Sequence, residues 1–403
     1  MKRKILLIFV ALVLTAVSCS QPQKAKTISQ TELETAEALI EESATSEPSV
    51  TVGTIVSTTL TNTDTPMVVE TIPDPYDGAG FSLPVIYNDL TTDPPSVVFL
   101  EPLHGNEVHR ITVPTMVAGV AGAATSGGIF FRGEDYEHIY HLLLDGSIEQ
   151  LDFLNPDGGP FQGVVLPSSD GKRIAHGFVR TDNSGGGWVQ LRVFNTDGSD
   201  EQIVLDEYVS ARPTRITPIK WSVDGQFLYV MNVIENVGGY GGMDLSRVEI
   251  ATGNYEEIFA NADCLCLTSI SPNERYAARV LVGEPLTLVV KDLLMETEAS
   301  VVLPPDYDEA WDLVWSPDES EMLISVWGFE WVTNKFAVLG VDINDMTVRT
   351  LVSDDTQILQ PKAWHVKETI WLNDGEGNLW RMDADSLEMV MVASKAPVYS
   401  HSR

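Results

Sequence analysis

The chain has 403 residues, enough to bury a large core, and carries 58 acidic against 25 basic side chains for a formal net charge of −33. Such a surface repels a phosphate backbone, which argues against nucleic acid as a partner. It suits a soluble protein outside the cytoplasm or one that faces cationic ligands.

Met1-Lys2-Arg3-Lys4 is a basic start, and Ile5–Leu14 is an apolar run of signal-peptide length, too short for a comfortable membrane span. Ala16-Val17-Ser18-Cys19 then resembles a bacterial lipobox. Residues 1–18 are expected to be a lipoprotein signal peptide, with Cys19 lipidated as the mature N-terminus. Two or three acyl chains on one residue give stable anchoring, unlike a single chain. Residues 19–75 are rich in Ser, Thr, Glu, Gln and Pro and poor in aromatics. Such a composition cannot bury enough surface to order itself, so a disordered tether is expected.

Residues 76–403 are expected to form the folded domain, entered through Pro73-Asp74-Pro75-Tyr76-Asp77-Gly78. Phe81–Tyr87, Ser96–Leu100 and Val108–Val113 read as three strands, followed by Met116–Val120, Gly128–Phe131, His138–Leu144 and Ile148–Phe153. A repeat then begins. Pro167-Ser168-Ser169-Asp170-Gly171, Trp221-Ser222-Val223-Asp224-Gly225, Ile270-Ser271-Pro272-Asn273-Glu274 and Trp315-Ser316-Pro317-Asp318-Glu319 each precede an apolar run, and Trp364-His365-Val366-Lys367-Glu368 is a degenerate copy. The Asp or Asn positions 170, 224, 273 and 318 lie 54, 49 and 45 residues apart, a spacing of propellers and solenoids. Ser and Pro open a tight turn, Asp or Asn bonds nearby amides, and Gly takes a positive φ. Each turn leads into three further strand-like runs, as in Phe227–Val233, Asp244–Glu249 and Tyr255–Phe259.

Four strands per unit with Trp-Ser-Pro-Asp-Gly between the first and second resembles the TolB-type repeat, a relative of WD-type propellers, over roughly residues 80 to 395. The resemblance implies an all-β, seven-bladed β-propeller, with six blades as the alternative count. The Trp of each turn would fill the gap between neighbouring sheets. The first unit lacks the motif and is expected to be completed by a C-terminal strand near Ala396–His401, which would close the ring.

Cys264 and Cys266 are expected to be buried small apolar residues in an innermost strand, because alternate residues on a strand face sit about 6–7 Å apart and a disulfide there needs distortion; a strained disulfide in an oxidising compartment is the alternative. The seven histidines are scattered without a His-x-His pair or His-Glu-x-x-His helix, so no metal and no cofactor is expected. No Gly-x-Ser-x-Gly elbow is found. Three glycine-rich, aromatic connections between second and third strands stand out: 182–188 ending in Trp188, 236–242 containing Tyr240, and 327–331 with Trp327 and Trp331. Clustered on one rim, Trp188, Tyr240, Trp327 and Trp331 would hold a sugar or a peptide segment. The function expected is a monomeric, membrane-anchored extracytoplasmic scaffold that binds protein or carbohydrate at that rim. The alternative is a lyase or hydrolase of polysaccharide or peptide working in the central channel.

Overall fold

The computed structural model describes residues 84–113, 123–125, 128–132, 138–154, 163–181, 186–210, 214–234, 244–259, 266–283, 285–329, 334–354, 357–398 and 400–401. The expected signal peptide, Cys19, the tether, Met116–Val120, Tyr240, Trp331 and Cys264 lie outside them. Apart from one short 3₁₀ turn, Asp152–Leu154, the described elements are strands. No described helix is long and apolar enough to cross a membrane.

The strands form seven sheets in chain order. Blade 1 spans residues 85–112, blade 2 residues 123–150, blade 3 residues 164–209, blade 4 residues 214–259, blade 5 residues 267–302, blade 6 residues 309–354 and blade 7 residues 359–393. Blades 3 to 7 are four-stranded antiparallel meanders.

Alternation along the strands shows how the sheets are arranged. In Glu321–Phe329 of blade 6, Met322, Ile324 and Val326 pack against blade 5, while Leu323 packs against blade 7. In Thr369–Asp374 of blade 7, Ile370 and Leu372 face blade 6 and Trp371 faces blade 1. Ser96–Leu100 of blade 1 divides likewise between blade 2 (Val97, Phe99) and blade 7 (Val98, Leu100). Strands buried on both faces must be apolar at successive positions, and these are. Seven apolar clusters result, each shared by two neighbouring sheets, and one of them joins blade 7 to blade 1. Seven sheets with seven shared cores close on themselves. The chain is a seven-bladed β-propeller.

The repeated turn owes its shape to one hydrogen-bond set. Ser168, Ser222 and Ser316 hydroxyls donate to Asp170, Asp224 and Asp318 at 2.6, 2.7 and 2.8 Å, and Ser168, Ser222, Ser271 and Ser316 accept the N–H five residues on at 2.8–2.9 Å. The turn ends in a left-handed residue, Gly171, Gly225, Glu274 or Glu319. Trp221, Trp315 and Trp364 fill gaps between sheets as expected. Trp221 Nε1 donates to Leu166 O at 3.0 Å and Trp315 Nε1 to Ser269 Oγ at 3.1 Å, each reaching the preceding blade.

The ring closes through residues 395–401, with one departure from expectation. Asn88 and Leu90 of blade 1 donate their N–H groups to Pro397 O and Lys395 O, and Tyr87 bridges Val398. The chain then passes on, and Ser400–His401 pairs in parallel with Ala123–Thr125 of blade 2. The terminal segment thus serves two blades rather than completing one.

Cys266 is buried and disulfide-bonded, with its partner outside the described residues, so of the two expectations the disulfide holds and the free apolar residue does not.

Candidate functional site

Strand length differs sharply between blades 2 and 3. The second and third strands of blade 3, Arg173–Thr181 and Gly187–Asn195, have nine residues each, whereas Gly128–Arg132 and Ile139–Leu143 of blade 2 have five. The apolar contact between the two blades takes in Phe130, Ile139, Leu151 and Leu154 on one side and Ile174 and Phe194 on the other, all from one end of blade 3. The rest of that face of blade 3 carries polar and aromatic side chains.

Alternation decides which side chains these are. Val189, Leu191 and Val193 turn toward blade 4, so Trp188, Gln190 and Arg192 turn the other way. Their cross-strand partners share the face: Arg180 and Tyr208 beside Trp188, Phe178 and Asp206 beside Gln190, and His176 beside Arg192. Trp188 and Tyr208 meet edge to face, with ring centroids 5.4 Å apart and planes at 62°. They remain 41 % and 44 % exposed. A side chain at Gly186 would strike the Tyr208 hydroxyl and Val209 O, so glycine there lets the tyrosine lie close over the connection.

Below the pair the polar groups are fixed by one another. Gln190 Nε2 donates to Asp206 Oδ1 at 2.7 Å, and Arg192 donates to Gln190 Oε1 through Nη2 at 2.6 Å. The Arg192 guanidinium lies 4.7 Å over the Phe178 ring and also pairs with Glu201 at 3.2 Å. His176 also stacks on Phe178, with ring centroids 5.0 Å apart. The result is an aromatic corner beside a preorganised row of donors and acceptors. It can cover the apolar face of a ring while bonding polar groups on its edge.

Trp327 has a different setting. It stands in a cross-strand row with Glu309, Phe336 and Asp354 on blade 6. Its ring stacks on Phe336 at 6.1 Å and meets Trp311 at 6.1 Å and 71°. Asp308 N–H donates to Trp327 O at 2.8 Å, so the second-to-third connection does share a rim with the fourth-to-first connection. Trp188 and Trp327 sit on blades 3 and 6, each with aromatic partners of its own blade. The structure does not bring them together.

Phe178, Arg180, Gln190, Arg192, Asp206 and Tyr208 escaped the sequence reading. The signal was the alternation Trp188-Val189-Gln190-Leu191-Arg192-Val193, which marks one apolar and one polar-aromatic face. The alternation does not tell that Trp188 and Tyr208 on that second face stay exposed. Among the described residues no group of three or more His, Cys, Asp or Glu side chains is placed to hold a metal ion.

No family model matches the chain, and no curated protein matches it by sequence. Solved structures match by shape. A prolyl endopeptidase aligns over 76 % of this chain with a TM-score of 0.54 and 11 % identity. This chain spans about half of that enzyme's length, 47 %. The periplasmic gluconolactonase PpgL of Pseudomonas aeruginosa aligns over 79 % of this chain and 99 % of its own, with a TM-score of 0.50 and 12 % identity. A protein assigned as TolB from Agrobacterium tumefaciens is also among the matches, with a TM-score of 0.41, 13 % identity and coverage of 68 % and 90 %. At these identities the likeness concerns the propeller fold.

Proposed function

We propose that the protein is a binding propeller outside the cytoplasm, anchored by lipid on Cys19, that holds a glycan on the face of blade 3 that carries Trp188 and Tyr208. The observation that carries the reading is the Trp188–Tyr208 corner, open to solvent and flanked by Arg180, Gln190 and Asp206. Sugars offer a C–H face for the rings and hydroxyls for the polar row, and the polar row is already ordered before a ligand arrives, which lowers the cost of binding. The disulfide at Cys266 supports an oxidising compartment. The lipobox-like Ala16-Val17-Ser18-Cys19 supports the anchor, and the Ser/Thr-rich residues 19–75 would give the propeller reach.

The test is a glycan and peptide array probed with the full chain, followed by calorimetry on the strongest ligand. Trp188→Ala and Tyr208→Ala should each weaken glycan binding at least tenfold, about 1.4 kcal/mol, with circular dichroism unchanged. Binding that both variants retain in full, or signals confined to the peptides, would overturn the glycan reading. Cys19→Ser should abolish labelling by an acyl-chain probe and release the protein from the membrane fraction.

A further inference from the structure

The innermost strands of blades 4 to 7 are Thr214–Trp221, Leu267–Ile270, Glu309–Trp315 and Leu359–Val366. Residues from all four line one cavity of about 230 Å³, which therefore lies on the propeller axis. Ile270, Trp315 and Trp364 come from the ends of their strands beside the repeated turns, so the cavity sits at the turn end of the axis, away from the rim that carries Trp188.

Its lining runs against the composition of the chain. Acids outnumber bases 58 to 25, yet the described residues lining the cavity include Lys220, Lys362 and His365 and no Asp or Glu. Thr268 and Ser269 add hydroxyls, and Ile219, Leu313 and Trp364 add apolar wall. Lys220 is 6 % exposed and donates to the carbonyls of Ser271 and Pro272 at 2.7 and 2.8 Å, which fixes its ammonium at the wall. Lys362 reaches across from blade 7 to Asp312 of blade 6 at 3.2 Å.

Backbone irregularity puts some of these groups there, Lys362 and His365 among them. The ladder with the second strand skips a residue at Ile219, at Lys362 and again over Trp364–His365, and the strand Glu309–Trp315 bulges over Trp311–Asp312. Bulges re-aim side chains out of strict alternation, and here the skipped residues Ile219, Lys362, Trp364 and His365 all line the cavity.

We propose that this axial cavity is a binding site for a small oxyanion, a carboxylate or phosphate group, with Lys362 and Lys220 supplying the charge. A positive cavity in low-dielectric walls concentrates anions locally even though the whole molecule repels them. The volume is below the roughly 300–1,000 Å³ of drug-sized ligand sites, so the site fits a small anion or the charged end of a longer molecule. Asp312 competes with the anion for Lys362, which gives the proposal a signature of opposite signs.

Calorimetry on the full chain would use malonate and inorganic phosphate as probes at fixed ionic strength, with chloride as the balancing salt. Saturable binding of at least one probe is expected. Lys362→Gln should weaken it at least tenfold, Lys362→Arg should keep it within about threefold, and Asp312→Asn should strengthen it. Lys362 is used in preference to Lys220 because the latter braces the blade 5 turn and its loss endangers folding. Absence of saturable binding by either probe, or unchanged binding in Lys362→Gln, would overturn the proposal. The Trp188 variant should bind the probes normally, which separates this site from the rim.

Discussion

Glu274 and Glu319 stand where the other two copies of the turn have Gly225 and Gly171, with φ of 63° and 59°. A left-handed conformation costs a residue with a Cβ about 1–2 kcal/mol, so something must offset it. Glu319 accepts the N–H of Asn273 in the preceding turn, and Glu274 accepts the N–H of Val223 and the Tyr229 hydroxyl. Each glutamate therefore latches its own turn to the one before it. A hydrogen bond to a charged group is worth about 1.5–3 kcal/mol, and glycine adds its own entropic cost of about 0.5–1 kcal/mol. Glu319→Gly is thus expected to destabilise by about 1–2 kcal/mol despite relieving the backbone, read from the guanidinium midpoint; a stabilised variant would show that the latch contributes nothing. Asp318 gives a pH signature. Its carboxyl is held well below the ordinary range by the Ser320 hydroxyl, against the opposing effect of burial, and further by Ser316. A depressed carboxyl contributes stability that is present above its unfolded pKa of about 3.9 and lost as pH falls through the folded value. Asp318→Asn should therefore be less stable than the parent at pH 7, and the gap should narrow in urea titrations repeated near pH 3.

At the level of the strand, regular alternation was readable and its interruptions were not. Met322–Val326 announces a strand buried on both faces, and the turns at 170, 224, 273 and 318 place four blades. The Trp188 strand shows its two faces equally plainly. The exposure of Trp188 and Tyr208 does not show, because a period marks a face and not what covers it. The axial cavity does not show either: it gathers strands from four blades, and Ile219, Lys362, Trp364 and His365 in its lining occupy bulges, which leave no mark in hydrophobic period. The disulfide at Cys266 was only the second of two expectations, because strand spacing says that such a bond needs distortion and not whether the backbone supplies it. The distinction between bulged and paired positions is open to measurement. Deleting Lys362 joins Pro361 and Ala363, whose partners Leu372 and Trp371 are already consecutive, so the ladder becomes regular. Deleting Ile324 from the paired stretch of blade 6 instead moves one end of a doubly buried strand to the wrong faces. The first deletion is expected to leave a soluble, cooperatively unfolding protein, and the second to prevent folding. Equal damage from both would refute the reading of Lys362 as an inserted residue.

Each blade of the whole molecule hides its faces only against two neighbours, so the ring is as sound as its closure. Every junction from blade 2 to blade 7 joins units connected directly in sequence, but blade 7 meets blade 1 across the length of the domain. Three kinds of contact hold that junction. Val85, Tyr87, Val98 and Leu100 pack against Ala363, Trp371 and Leu379, with Ala396 fully buried among them. Trp371 Nε1 donates to Pro102 O at 2.9 Å, and Thr369 Oγ1 to Leu103 O at 3.0 Å. The segment from Lys395 to Val398 accepts N–H groups of Asn88 and Leu90 and is held in turn by Asn373, whose amide donates to Ala396 O at 3.0 Å and accepts from Val398 N–H at 3.2 Å. Removing residues 396–403 would take away the third set, uncover part of the first, and expose the inner edge of blade 1 as an unpaired strand. The remaining sheets would keep their mutual cores, so loss should begin at blade 1 and spread. The truncated chain is expected to unfold at lower denaturant and to show early amide exchange in residues 85–112, with protection retained in blades 4 to 6. Uniform loss of protection around the ring would mean that the closure holds the molecule as one cooperative unit, and unchanged protection in blade 1 would mean that the packing of Trp371 alone suffices.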